Sequence, residues 1–379
     1  MNDLQQEIDE KKKEIFTDGY PMSIGELSSL YSENELDIHP EFQRFFRWTT
    51  LQKSKLIESI LLGIPIPSIF VSQREDGVWD VVDGLQRLST IFQFMGILKD
   101  ENGDLINPQA LEEAEYLKSL KDKYWNKEDE PDNSFTSAQR ITFKREKIDV
   151  KIVKKESHES VKFELFQRLN TLGSRLSDQE VRNCLLVLLN DTFYKWLRDI
   201  SNDENFLNTL SLTERLMEEQ YNMELALRFL IFKRIDPSEV RSTTDLGEYI
   251  TSKMRELATS GLFDFDAEER EFRRTFELLN FVLDENTFKR YDFAKEKFSG
   301  KFLISAYEAI AFGLGRCVNE YQYDNLNESL KSRINDIVIS IWGDENFQRR
   351  SGSGIPVTLR VPTIIPIGQS KFTKRTDET

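Results

Sequence analysis

Trp79-Asp80-Val81-Val82-Asp83-Gly84-Leu85-Gln86-Arg87-Leu88-Ser89-Thr90 is the stretch on which the reading of this chain turns. An apolar strand ends in Asp-Gly, and a helix begins at once. Glycine permits a tight turn and a close approach of backbone to a ligand. The first turn of a helix leaves N–H groups unpaired at its positive end, a natural seat for phosphate. Arg87 adds a planar guanidinium fork suited to phosphate oxygens, and Gln86 adds a neutral donor. A plainer reading stands beside this one: Asp83 caps the helix and Arg87 forms a surface salt bridge.

Upstream, Ser68 to Ser72 and Val78 to Val82 flank Glu75-Asp76-Gly77, which predicts a hairpin feeding the helix Leu85 to Leu98. Earlier still, Met1 to Phe16 reads as a charged surface helix, and Ser23-Ile24-Gly25-Glu26 as a capping box opening a short helix. Thr49 or Thr50 caps a helix that ends at Gly63, before Pro65 and Pro67. Downstream, Asp100 to Ser134 holds eleven acidic against four basic residues and reads as a polar insertion. Lys147 to Val153 alternates as a strand should, and helices follow at about 157–169 and 177–189. From Asp191 to about Phe347 the spacing is almost wholly helical, and Gly352, Gly354, Pro356, Pro362 and Pro366 mark a non-helical tail. The expected organisation is α+β: an α/β domain over 1–190 with the acidic insertion at 100–134, a helical domain over 191–347, and a basic tail over 348–379.

Bulk properties narrow the function classes. The 379 residues, 39% hydrophobic and 31% charged, suit a soluble multi-domain protein, and no run of apolar residues reaches the length of a membrane span. A polar N-terminus and only two cysteines, Cys184 and Cys317, predict a cytoplasmic protein with reduced thiols. A net charge of −15 argues against indiscriminate DNA binding. The tail is basic, and Arg349, Arg350, Arg360 and Lys371 are the residues nominated there for DNA contact. The two histidines, His39 before Pro40 and His158 at a predicted helix start, do not suit a ββα-metal nuclease. There is no Walker loop, no zinc-type Cys/His spacing and no GxSxG elbow.

Two further segments carry concentrated chemistry. Pro40-Glu41-Phe42-Gln43-Arg44-Phe45-Phe46-Arg47-Trp48 interleaves arginines with aromatics. In Glu164-Leu165-Phe166-Gln167-Arg168-Leu169, Gln167 and Arg168 close one helix, and the polar linker Asn170 to Arg175 leads to a second, capped by Ser177-Asp178-Gln179-Glu180. Taken in order, the three segments resemble the GmrSD-type restriction endonuclease N-terminal domain family, known by its Asp-Gly-Gln-Gln-Arg motif and similar to the ParB/sulfiredoxin fold. This sequence has Leu85 at the first glutamine, and Leu165 where the third motif of ParB-type domains has asparagine.

The resemblance implies a nucleoside triphosphate with Mg²⁺ beside the Asp83–Arg87 junction. The residues it implicates in nucleotide binding are Gln43, Arg44, Gly84, Gln86, Arg87, Glu164, Gln167, Arg168 and Asn170. Asp83, Gln86 and Arg87 are the implied catalytic set, and Asp83 or Glu164 the implied metal ligands. The leading expectation is an NTP-binding, NTP-hydrolysing sensor of an anti-phage restriction system, acting on or near DNA with a separate nuclease or modification subunit. Two alternatives stay open: a non-enzymatic adaptor or DNA-modification reader, and a self-sufficient Mg²⁺ nuclease built on Asp132, Asp149 and Lys151.

Overall fold

The structure is a computed structural model describing residues 3–38, 48–100, 102–157, 177–234, 236, 239–240, 245–321, 326–352 and 354–373. The chain divides into two compact units, 1–175 and 176–379.

The first unit is organised by the expected hairpin. β3 (Ile69–Gln73) and β4 (Trp79–Asp83) run antiparallel, joined by a turn in which Gly77 has φ +92°. The five-stranded mixed sheet has the order β1-β5-β3-β4-β2, with β1 Thr17–Ser23, β2 Leu36–Asp37 and β5 Lys147–Val153. β5 alternates exposed and buried residues as its sequence predicts. Arg74, just past β3, reaches Asp37 of β2 at 2.7 Å and also pairs with Asp80 of β4, pinning the short β2 to the hairpin. Against the sheet pack α2 (Ile24–Ser32), α3 (Thr50–Leu61), α4 (Leu85–Met95) and α5 (Ser137–Arg145). Ser23 caps α2 by accepting from the N–H of Glu26, and Thr49 caps α3 as a full capping box with Gln52.

Two expectations are corrected here. The N-terminal helix is shorter than expected (α1, Asp3–Lys12), and the chain then enters β1, which the sequence does not announce. β1 contains Gly19 and Pro21 and exposes its first five residues, so it lacks the alternation that marks a strand. It survives because it is an edge strand, where a missing N–H is tolerated. The acidic segment, in turn, is not a surface insertion. It is largely irregular, but Leu111, Ala114, Leu120 and Trp125 join the core formed by the sheet and helices. Buried Glu58 of α3 fastens it by accepting hydrogen bonds from the N–H groups of Tyr116 and Leu117, both at 2.6 Å.

The second unit is helical apart from a small hairpin, Arg290–Asp292 with Lys297–Ser299. α6 (Asp178–Ser201) packs on α9 (Tyr221–Phe232) and α10 (Leu246–Thr259), and the short α7 (Glu204–Leu210) and α8 (Glu214–Glu218) lie between α6 and α9 in chain order. α6 continues past the expected boundary at 190 with a kink at that residue, and Leu185, Leu186 and Val187 before it are buried. Its one break is at Asn190, whose side chain accepts from the N–H of Phe193 and donates to the carbonyl of Ala258. α11 (Phe265–Leu283) lies on α7, and α12 (Ile304–Cys317) on the C-terminal helix α15 (Val357–Phe372), with α13 (Glu328–Trp342) and α14 (Glu345–Arg350) between them in sequence.

The expectation of a non-helical tail is therefore corrected. Pro362 and Pro366 both lie inside α15 and are built into it despite the helical hydrogen bonds they remove. Tertiary packing outweighs that cost: Val361, Ile364 and Ile365 are buried, and α12 and α15 cross so closely that a Cβ on Gly313 would lie 2.6 Å from the Gly368 carbonyl carbon. Among the described residues no helix is long and apolar enough to cross a membrane.

Candidate nucleotide site

β4 delivers the site. The pairing of β3 with β4 is irregular just before the end of the strand: Val71 faces Val81 but Phe70 faces Asp83, leaving Val82 as the extra residue. Such a bulge re-aims the side chain that follows it. Gly84 then takes φ +102°, ψ 9°, a left-handed conformation that side chains other than glycine resist. A Cβ at this position would also collide with Cδ1 of the fully buried Ile69.

α4 opens on Gly84 with no side-chain cap, so Asp83 does not play the capping role of the plainer reading. The first helical bond runs from the Leu88 N–H to the Gly84 carbonyl at 2.9 Å. The N–H groups of the first turn precede it and remain outside the helical ladder. Asp83 instead meets Arg87, whose Nη2 donates to Oδ2 at 2.6 Å. Nη1 of Arg87 donates to the carbonyls of Pro67 at 2.5 Å and Ser68 at 3.2 Å. Arg87 is buried, and its fork ties the end of β4 to the segment entering β3. The guanidinium is thus neither the exposed salt bridge of the plainer reading nor a fork turned outward to a ligand. It braces the turn that presents the helix N-terminus.

The motif within this turn lies inside a recognised segment. Residues 27–187 match the GmrSD restriction endonuclease, N-terminal domain. This segment belongs to that family. No curated protein and no solved structure matches the chain. The GmrSD segment spans β2 to β5, α4 and the first part of α6, leaves out β1, and ends within the helical unit.

Within the GmrSD segment the structure brings together Asp83, Gly84, Gln86 and Arg87. Gln86 is half-buried in the first turn of α4. Leu85, at the family's glutamine position, packs against the apolar core. Sequence reasoning missed Ser89, which is fully buried with a hydroxyl that finds no hydrogen-bond partner among the described residues. Gln43, Arg44, Glu164, Gln167, Arg168 and Asn170 lie outside the described residues, as do His39, His158 and the link 170–175.

Among the described residues no three His, Cys, Asp or Glu side chains gather as a metal site. Asp83 offers one carboxylate whose Oδ2 is already taken by a cation, which does not fit a magnesium held by the protein. Asp149 and Lys151 share the exposed face of β5, while Asp132 sits in a single helical turn, Pro131–Asn133. Of the tail residues nominated for DNA, Arg349 and Lys371 are exposed, and Arg349 leans on Glu345 at 3.3 Å. Arg360 is not at the surface. Its Nε and Nη2 donate to the two oxygens of buried Glu308, both at 2.8 Å.

Proposed function

We propose that the chain is a nucleotide-binding regulatory component of a restriction-type anti-phage system, with the phosphates seated at the N-terminus of α4. The observation that carries this reading is the uncapped first turn behind left-handed Gly84, within the family's signature motif. Backbone N–H groups and the positive end of the helix attract anions without a basic side chain. The Asp83–Arg87 pair fixes the turn, and Gln86 supplies an adjacent neutral amide. Magnesium in this reading arrives on the nucleotide's own phosphates, the usual habit of that ion. DNA and a separate nuclease or modification subunit complete the proposed system.

One observation favours binding and signalling over rapid hydrolysis. Phosphoryl transfer is accelerated by charge placed on the transferred group. Here Arg87 is already neutralised by Asp83 and held inward by two carbonyls.

The test is thermal stabilisation by each of the four NTPs with magnesium, followed by phosphate release. Ligand at about 100 times its dissociation constant adds about 2.7 kcal/mol. Gln86→Glu sets a carboxylate against the phosphates while suiting the helix N-terminus, so it should abolish the shift and leave the apo protein stable. No shift with any NTP at millimolar concentration, or a shift that Gln86→Glu leaves intact, overturns the reading. Phosphate release above background that depends on Gln86 adds hydrolysis to it.

A further inference from the structure

The first unit contains a cavity of about 410 Å³ at the other end of α4, lined by Phe94, Met95, Gly96, Pro108, Trp125, Asn126 and Arg140. This is within the size range of small-molecule sites. The eleven residues of α4 hold it about 16 Å from the Gly84 turn, so it is not part of the phosphate seat proposed above.

Its chemistry is one-sided. Arg140, in the second turn of α5, is half-buried and anchored through Nη1 alone. That nitrogen donates to the carbonyls of Phe135 at 2.8 Å and Trp125 at 3.3 Å and to Oδ1 of Asn126 at 3.0 Å. Among the described residues neither Nε nor Nη2 has a partner, and no carboxylate pairs with the guanidinium. Asn126 gives its oxygen to Arg140, which leaves its amide N–H groups to face a ligand. The cavity lining includes no acidic side chain, although the segment supplying Pro108, Trp125 and Asn126 carries eleven acidic residues against four basic ones. Lys144, one turn further along α5, adds a second positive charge 5.9 Å from the Trp125 ring. The nearly buried Phe94 and Trp125 make an apolar floor beneath these donors.

A rigid guanidinium with an unused edge, adjoining amide donors and no carboxylate is built to receive an oxyanion. We propose that this cavity binds a small ligand bearing a phosphate or carboxylate group, gripped by the Nε and Nη2 edge of Arg140 and by Asn126, with its apolar body on Trp125 and Phe94.

Calorimetric titration of the full chain tests this with two pairs of probes: inorganic phosphate and phenyl phosphate, acetate and benzoate. The aromatic member of one pair should bind better than its bare ion, and the favoured pair identifies the group as phosphate or carboxylate. Arg140→Gln should weaken that probe by about tenfold or more, and Asn126→Ala by a smaller factor, since it leaves the guanidinium in place. Arg140→Lys keeps the charge but loses the fork, and serves if the glutamine variant fails to fold. Gln86→Glu should leave this binding unchanged even as it removes the NTP shift, so the two sites fail independently. No heat with any of the four probes at millimolar concentration, or equal affinity in wild type and the folded Arg140 variant, overturns the proposal.

Discussion

Gly84→Ala tests the geometry on which the proposed nucleotide site rests. At φ +102° an alanine pays about 1–2 kcal/mol for the left-handed backbone. Its Cβ also drives into Cδ1 of Ile69 and lies 3.3 Å from Cγ1, in a side chain with no exposure to give way into. Overpacking of that kind costs about 1–3 kcal/mol. Reduced freedom of the unfolded chain returns about 0.4–1 kcal/mol, leaving a net loss of about 1.5–4 kcal/mol. Gly77→Ala is the internal control: it shares a positive φ of +92°, but a Cβ there meets nothing within 4 Å. It should therefore show the backbone contribution alone. Ile69→Val removes the colliding methyl, at a cost of about 0.5–1.5 kcal/mol in the wild type. In the Gly84→Ala background that cost should vanish or reverse, a coupling of about 1 kcal/mol. Urea unfolding followed by the fluorescence of Trp79 and Trp125 gives all four corners of the cycle. If Gly84→Ala is no more costly than Gly77→Ala, or the cycle shows no coupling, the close approach of the turn to Ile69 is not as described.

Arg360→Ala should lower stability by about 3 kcal/mol, because it strips buried Glu308 of its two-pronged partner, whereas Lys371→Ala should change it by less than about 0.5 kcal/mol. Urea midpoints of the second unit check both, and an Arg360 variant as stable as wild type would return that residue to the DNA-contact set. Burial pushes the Cys317 thiol up to about 12, so it should resist a thiol reagent at pH 8 until the protein unfolds. Because the folded value is the higher, the thiol's contribution to stability is complete below about pH 9 and declines as pH rises toward 12. Rapid labelling of Cys317 in the native state would contradict that burial.

The hairpin, α4 and β5 were legible because local signals and tertiary contacts agree there: alternation in the strands and glycines at the turns point one way. Elsewhere the two levels conflict. In α15 the prolines predict a break, yet a glycine-lined crossing with α12 holds the helix together, and nothing local to 357–372 announces α12. In the acidic segment the apolar residues are too sparse to show a period, and their burial depends on Glu58, which lies far away in sequence. At the site itself, the composition of Asp83-Gly84-Leu85-Gln86-Arg87 was readable but the direction of Arg87 was not. That direction is set by the carbonyls of Pro67 and Ser68, which the sequence does not place beside it.

The same limit governs α6, whose buried polar residues are structural. Gln179, Arg182 and Asn183 are all buried on α6. Arg182 donates to Gln179 at 2.9 Å and pairs with Glu224 of α9 at 2.8 Å. Burial pushes its pKa below the usual arginine value, and Glu224 pulls the other way. Glu224 also binds Arg228, which lies 3.8 Å from Glu308, and Glu308 holds Arg360 of α15. Three arginines and two glutamates thus join α6, α9, α12 and α15 through the interior. Removing Glu224 would leave buried Arg182 without its carboxylate, and removing Glu308 would leave Arg360 without one, each a larger loss than the pair is worth singly. The GmrSD segment therefore has two kinds of motif residue. Those at the β4–α4 turn shape the proposed phosphate seat, and those on α6 lock the first helix of the second unit to its neighbours.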